Sequence, residues 1–138
     1  MGNRIKRIGL IALVFASLLF LTLGGSLNAN LAEWKAPSSA DKLKNPAKGN
    51  AEATENGKEL YGQMCGICHG DSGEGDGMGG MSLNPKPTDL TTKSFQSQSD
   101  GAIFWKITEG RSPMAAYKSI LTDEQRWQLV NFIKTLKK

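Results

Sequence analysis

The chain has 138 residues, 22% of them charged and 7% aromatic, with two cysteines, one histidine and five methionines. Once an apolar leader is set aside about a hundred residues remain, which is room for one small domain and excludes a second core. Three of the seventeen basic residues sit in that leader, leaving fourteen against thirteen acidic ones, a net charge of +1, with no Lys/Arg cluster of the kind a nucleic-acid surface needs.

In chain order, Arg4, Lys6 and Arg7 precede an apolar run of 16 residues from Ile8 to Leu23, and small or polar residues follow as far as Ala29. A charged start, a short apolar middle and a small-residue exit mark a secretory signal. The run is shorter than the roughly 20 residues that span a bilayer, but extension to Leu27 keeps an uncleaved anchor over residues 8–27 as the alternative. Residues 1–29 therefore read as a signal peptide or N-terminal membrane anchor. In both cases the positive end stays in the cytoplasm. The domain is then expected in the periplasm or on the outer face of the inner membrane.

Residues 30–53 are mostly polar or small, and from Ala36 onward Pro37, Ser38, Ser39, Pro46 and Gly49 interrupt any regular period, so the stretch reads as an arm or linker. The domain proper is expected over 54–138. Its first helix runs from about Thr54 to Met64, with Leu60, Tyr61 and Met64 on one face and Gly57 one turn before Tyr61, a spacing that lets a second helix come close. Ser99 or Asp100 caps a second helix, in which Ile103, Phe104 and Ile107 recur until Gly110 ends it. The third opens on the capping box Thr122, Asp123, Glu124, Gln125 and buries Trp127, Val130, Ile133 and Leu136, with Leu129 and Phe132 widening the face. The glycine-rich stretch Gly70 to Gly80 and the proline-punctuated Asn84 to Leu90 lie between the first two helices. No strand pattern or repeat is present, so the fold class is all-α: three to four helices with long loops that wrap something functional.

Cys65, Gly66, Ile67, Cys68 and His69 spell C-x-x-C-H at the end of the first helix. Residues i and i+3 share a helical face, so both thiols can add to the two vinyl groups of one haem, with His69 aimed at the iron. A zinc site would need four ligands, and the chain offers two cysteines and its only histidine. A thioredoxin-type pair belongs at a strand-to-helix junction, which is absent.

With these residues in view, the chain resembles the class I cytochromes c, the small single-haem family with His and Met as iron ligands. The resemblance runs from Asn56 to the C-terminus. It implies the cytochrome c fold around one haem c attached through Cys65 and Cys68. It also implies a close crossing of the first and last helices, with Gly57 and Phe132 at the matching positions and Tyr61 nearby, and a proline carbonyl, from Pro85 or Pro87, that accepts from the His69 imidazole. For the sixth ligand a lone histidine leaves a methionine, a lysine or an open position. Met64 adjoins Cys65 on the proximal side, and Met78 and Met81 follow His69 by only nine and twelve residues in the glycine stretch. Met114, 45 residues on, stands in Gly110-Arg111-Ser112-Pro113-Met114, which resembles the family's G-x-x-x-M loop except that Ala115 replaces the usual proline. Met114 is the assignment; the competing reading has it filling a gap in the core.

Gly75 to Gly80 also fit G-x-G-x-x-G, but no strand precedes them and no helix opens from them, so they read as loop. Asp71, Glu74 and Asp76 miss the EF-hand spacing. Trp105 reads as core and Phe95 as an anchor for its polar run. The expected function is electron transfer by a monomer that is no catalyst itself. It would meet a redox protein donor and acceptor through transient docking at the exposed haem edge, around Ala115, Ala116 and Ile67. Two alternatives stand beside it. One is a cytochrome subunit of a larger oxidoreductase, contacting its partner through the arm from Trp34 to Asn56. The other is a gas-binding sensor or peroxidase with an open sixth site.

Overall fold

A computed structural model describes residues 34–138, so the leader, whether signal or anchor, lies outside the described residues. Within them five helices follow one another: α1 (Ala51–Met64), α2 (Gly66–His69), α3 (Lys93–Gln96), α4 (Asp100–Glu109) and α5 (Asp123–Ile133). Short 3-10 turns occupy Ala40–Lys42 and Met78–Gly80. Among the described residues there is no strand, only an isolated bridge between Arg111 and Met114, and no helix is long and apolar enough to cross a membrane. This is the expected all-α architecture.

The starts of the helices follow from capping. Ser99 Oγ accepts from the Ala102 N–H at 3.0 Å, which selects Ser99 over Asp100 as the cap of α4. Thr122 and Gln125 form the reciprocal capping box of α5. Helix α1 begins three residues earlier than its apolar period suggested, because Asn50 caps it by accepting from the Ala53 N–H at 2.9 Å. Helix α5 stops at Ile133, so Leu136 reaches the core from a turn beyond it rather than from the helix itself.

Helices α1 and α5 cross at Gly57. A Cβ there would lie 2.5 Å from the Gln128 carbonyl carbon and closer still to its oxygen, so glycine is what permits the approach. Phe132, which the family resemblance placed at this crossing with Tyr61 nearby, has its ring against Tyr61, with centroids 5.1 Å apart and planes tilted by 56°. Tyr61 is buried, and its hydroxyl donates to the Gly70 carbonyl at 2.9 Å, joining the crossing to the residue that follows α2. Burial raises the Tyr61 phenol well above its ordinary pKa, and Cys65 adds to the effect, so the group stays a neutral donor.

Helix α4 completes the core with Ile103, Phe104 and Ile107, alongside Leu90, Phe95, Leu121, Trp127, Leu129, Val130 and Ile133. Phe104 stacks on Trp127 at 4.0 Å, and the buried Arg126 guanidinium lies 5.0 Å from the Phe104 ring. Arg126 is compensated locally: it donates to Thr108 Oγ1 at 2.8 Å and pairs with Asp123.

The stretch read as a linker packs on the domain. Residues 35–138 form one unit, and Ala40 is buried against α4, where a side chain at Gly101 would collide with the Ala40 carbonyl. Ser99 Oγ donates to Asp41 at 2.5 Å. Asn45 Nδ2 donates to Asn131 Oδ1 at 2.8 Å, and Asn131 Nδ2 returns a bond to the Ala47 carbonyl at 2.6 Å. The arm's lack of apolar period hid this, because side-chain amides and backbone carbonyls hold it.

Two outcomes test the crossing. Gly57→Ala should cost about 2 kcal/mol or more through overpacking, lowering the thermal midpoint by about 4–8 °C per kcal/mol. Gly62→Ala, in the same helix with open space around it, should leave the midpoint unchanged or raise it. Tyr61→Phe, which removes one of the two hydrogen bonds on the buried Gly70 carbonyl and leaves the one from the Gly73 N–H, should cost about 0.5–1.5 kcal/mol in denaturant titration of the holoprotein.

Candidate functional site

Cys65 ends α1 and opens α2, and the backbone keeps its helical turn through the junction. The Cys65 N–H donates to the Tyr61 carbonyl at 2.8 Å, and the His69 N–H donates to the Cys65 carbonyl at 2.9 Å. Cys65 and Cys68 therefore project from one face, three residues apart, as the spacing predicted. Both are half-buried and no disulfide links them. Burial pushes the Cys65 thiol up to about 12, with the neighbouring Cys68 adding to the shift, as expected for a thiol in apolar surroundings.

His69 is fixed from the loop. Its Nδ1 lies 3.2 Å from the carbonyl of Thr88, so neither Pro85 nor Pro87 supplies the acceptor that the resemblance suggested. The reason lies in the loop's path: the Leu90 N–H donates to the Gly73 carbonyl at 2.7 Å, which draws 88–90 against the glycine stretch. Pro87 packs on Gly80. With Nδ1 protonated and facing Thr88, Nε2 keeps its lone pair. Burial lowers the His69 pKa, while the Thr88 carbonyl pulls the other way; the neutral ring is the form that can donate to a metal.

Met114 comes from the segment after α4. Gly110, at φ +62°, turns the chain back, and a Cβ there would lie 2.6 Å from the Ala115 carbonyl. Arg111 and Met114 exchange backbone hydrogen bonds of 3.1 and 2.8 Å, closing a tight turn. Met114 packs half-buried against the core cluster. Three residues on, the Tyr117 hydroxyl donates to the Met64 carbonyl at 3.0 Å, beside Cys65. Burial raises the Tyr117 pKa, and Cys65 and Cys68 add to the shift, so the phenol stays a neutral donor. The fold thus brings the Met114 segment to the C-x-x-C-H turn. Met78 and Met81 are 84% and 68% exposed, away from the core.

Thr88 and Tyr117 were missed by sequence reasoning. Thr88 acts through a backbone carbonyl, which leaves no side-chain signature. Tyr117 was legible only as an aromatic three residues past the candidate methionine. The donor set is two unpaired thiols, one oriented imidazole and one thioether on an apolar wall, and it fits a c-type haem. Phe95 is buried in the core as expected, and the G-x-G-x-x-G stretch forms a loop with a 3-10 turn at Met78–Gly80.

The model of one family, cytochrome c oxidase, cbb3-type, subunit III, matches residues 52–133, more than half of the chain. Among solved structures the chain is similar to a c-type cytochrome, KustC0563, at 32% identity and a TM-score of 0.52, over 59% of this chain and 98% of that one. It is also similar to a chain of the Kuenenia stuttgartiensis reducing HAO-like protein complex Kustc0457/Kustc0458, at 27% identity and a TM-score of 0.61. That match covers 71% of this chain and about half, 49%, of the other. No curated protein matches the sequence. With the helix crossing and the C-x-x-C-H turn, the family match makes this chain a class I c-type cytochrome, whose covalently bound haem c serves electron transfer.

Proposed function

We propose that the chain carries one haem c, joined through Cys65 and Cys68 with His69 and Met114 as axial ligands, and shuttles single electrons between protein partners outside the cytoplasm. The observation that carries the ligand choice is the contrast among methionines. Met114 is packed on the core in a segment tied to Met64 through Tyr117, whereas Met78 and Met81 face solvent. The leader in the sequence supports export.

The haem supplies an iron that changes oxidation state by one electron. The chain's residues hold it still. Cys65 and Cys68 would hold it from a single helical face, and the Thr88 carbonyl keeps the His69 ring from rotating. The Met114 thioether is a soft donor that favours the reduced metal and raises the potential relative to a second imidazole. With His69 and Met114 both holding the iron, no protein ligand would have to leave when the charge changes. Leu60, Met64, Tyr117 and the buried cluster exclude water, which disfavours the oxidised charge further.

A second reading has a specific observation behind it. The matching family model describes an oxidase subunit, and a similar solved chain belongs to an HAO-like complex. Those words support a cytochrome subunit of a larger oxidoreductase. Gel filtration of the protein from its native membrane or periplasmic extract separates the two: a monomer of the chain's own mass supports the shuttle, and persistent co-elution with a large partner supports the subunit.

Met114→Ala should abolish the far-red charge-transfer band of the oxidised protein, lower the reduction potential and allow carbon monoxide to bind the reduced protein. Met78→Ala and Met81→Ala should change none of the three. Carbon monoxide binding by the unaltered protein at neutral pH would instead point to an open sixth site. Cys65→Ala or Cys68→Ala should sharply reduce the yield of folded holoprotein, since a domain this small leans on its cofactor.

A further inference from the structure

Three of the large apolar side chains left in solvent belong to one place. Ile67, Met78 and Met81 are 62%, 84% and 68% exposed. Ile67 is the middle of the C-x-x-C-H turn, and the Met78–Met81 turn rests on it. A Cβ at Gly79 would lie 2.9 Å from Ile67 Cγ1 and 3.5 Å from Cys68 Sγ, and one at Gly77 would lie 2.5 Å from the Ile67 carbonyl oxygen. The glycines let this turn lie directly against the attachment motif. Its two non-glycine side chains are then both methionines turned outward, the flexible, polarizable residues of surfaces that adapt to a partner.

The surrounding charge has a sign. Asp71 Oδ1 stands 3.2 Å from the Cβ position of Gly66, and the Asp76 carboxylate stands against Gly70, so both carboxylates flank the α2 turn. Both residues are exposed, and neither forms an ion pair among the described residues. Glu74 on the same loop is paired with Lys138, and Lys86 adds a cation beside Pro87, which packs on Gly80.

We infer that Ile67, Met78 and Met81, flanked by Asp71 and Asp76, form the docking surface for an electron-transfer partner that presents an apolar patch bordered by basic side chains. This deepens the proposed function and rests on it. It keeps Ile67 from the expected docking centre, replaces Ala115 and Ala116 with the glycine loop, and gives Met78 and Met81 a role apart from iron ligation. Contact at this surface brings the partner to within one side chain of Cys68 Sγ, where a short path for a single electron begins.

The test uses the holoprotein and a synthetic surface of the partner's chemistry: a gold electrode bearing a mixed methyl- and ammonium-terminated monolayer, with a methyl- and carboxylate-terminated one as contrast. Voltammetric coverage against protein concentration gives the half-saturation point. The unaltered protein should adsorb on the methyl/ammonium layer in preference to the methyl/carboxylate one. Met78→Gln with Met81→Gln should raise the half-saturation concentration at least about tenfold. Asp71→Asn with Asp76→Asn should erase the preference between layers, and Ala116→Glu should leave adsorption to the methyl/ammonium layer unchanged. Unaltered adsorption of the methionine variant, or its loss in Ala116→Glu alone, would overturn the proposal and leave the axial assignment standing. Loss of the far-red band in the methionine variant would overturn both, because it would make Met78 or Met81 the ligand.

Discussion

The contact on which the site depends is the crossing of α1 and α5 at Gly57. The missing side chain there lets the Gln128 carbonyl approach the α1 backbone. That distance puts Phe132 onto Tyr61, and the position of Tyr61 puts its hydroxyl on the Gly70 carbonyl. The C-x-x-C-H turn is thus held at its start by α1 and at its end by a buried hydrogen bond. A turn that loses either hold would leave two thiols and an imidazole with no fixed relation to one another.

The rest of the domain closes over this turn by backbone contacts more than by side-chain ones. Thr88 meets His69 through a carbonyl, and the Gly75 N–H donates to the His69 carbonyl at 2.8 Å. From the other side, the Tyr117 N–H donates to the Ile107 carbonyl at 3.1 Å while its hydroxyl reaches Met64. Long loops in so small a domain need such ties, since few apolar side chains are available to fix them. The arm before α1 adds a second polar clasp through Asn45, Asn131 and the Ala47 carbonyl.

What was legible in the sequence was whatever repeats or is spelled by side chains. The apolar periods of α4 and α5, the Thr122 capping box, the stop at Gly110 and the C-x-x-C-H motif each act through residue identity, and the structure has them where the sequence put them. The early start of α1 at Ala51 was hidden because its first turn carries no large apolar side chain, only the small Ala53 being buried, with the Asn50 cap as its one sign. The partner of His69 could not be read, because any residue supplies a carbonyl and the choice of Thr88 over Pro85 or Pro87 depends on how the loop is drawn to Gly73. That Phe132 sits at the crossing beside Tyr61 is what the family resemblance implied, but the tilt of the two rings depends on the rotation of α5 about its own axis, which an apolar period fixes only to within a broad face. The outward turn of Met78 and Met81 was beyond sequence reasoning, since methionine is ordinarily a core residue.

The central claim is that this turn holds one haem by two thioether bonds. Proteolysis of the denatured holoprotein after thiol alkylation, followed by mass spectrometry, tests it directly. The account predicts that the peptide containing Cys65–His69 carries one haem and resists alkylation at both cysteines. Recovery of that peptide without haem from folded, coloured protein, with Cys65 and Cys68 alkylated or joined as a disulfide, would contradict it.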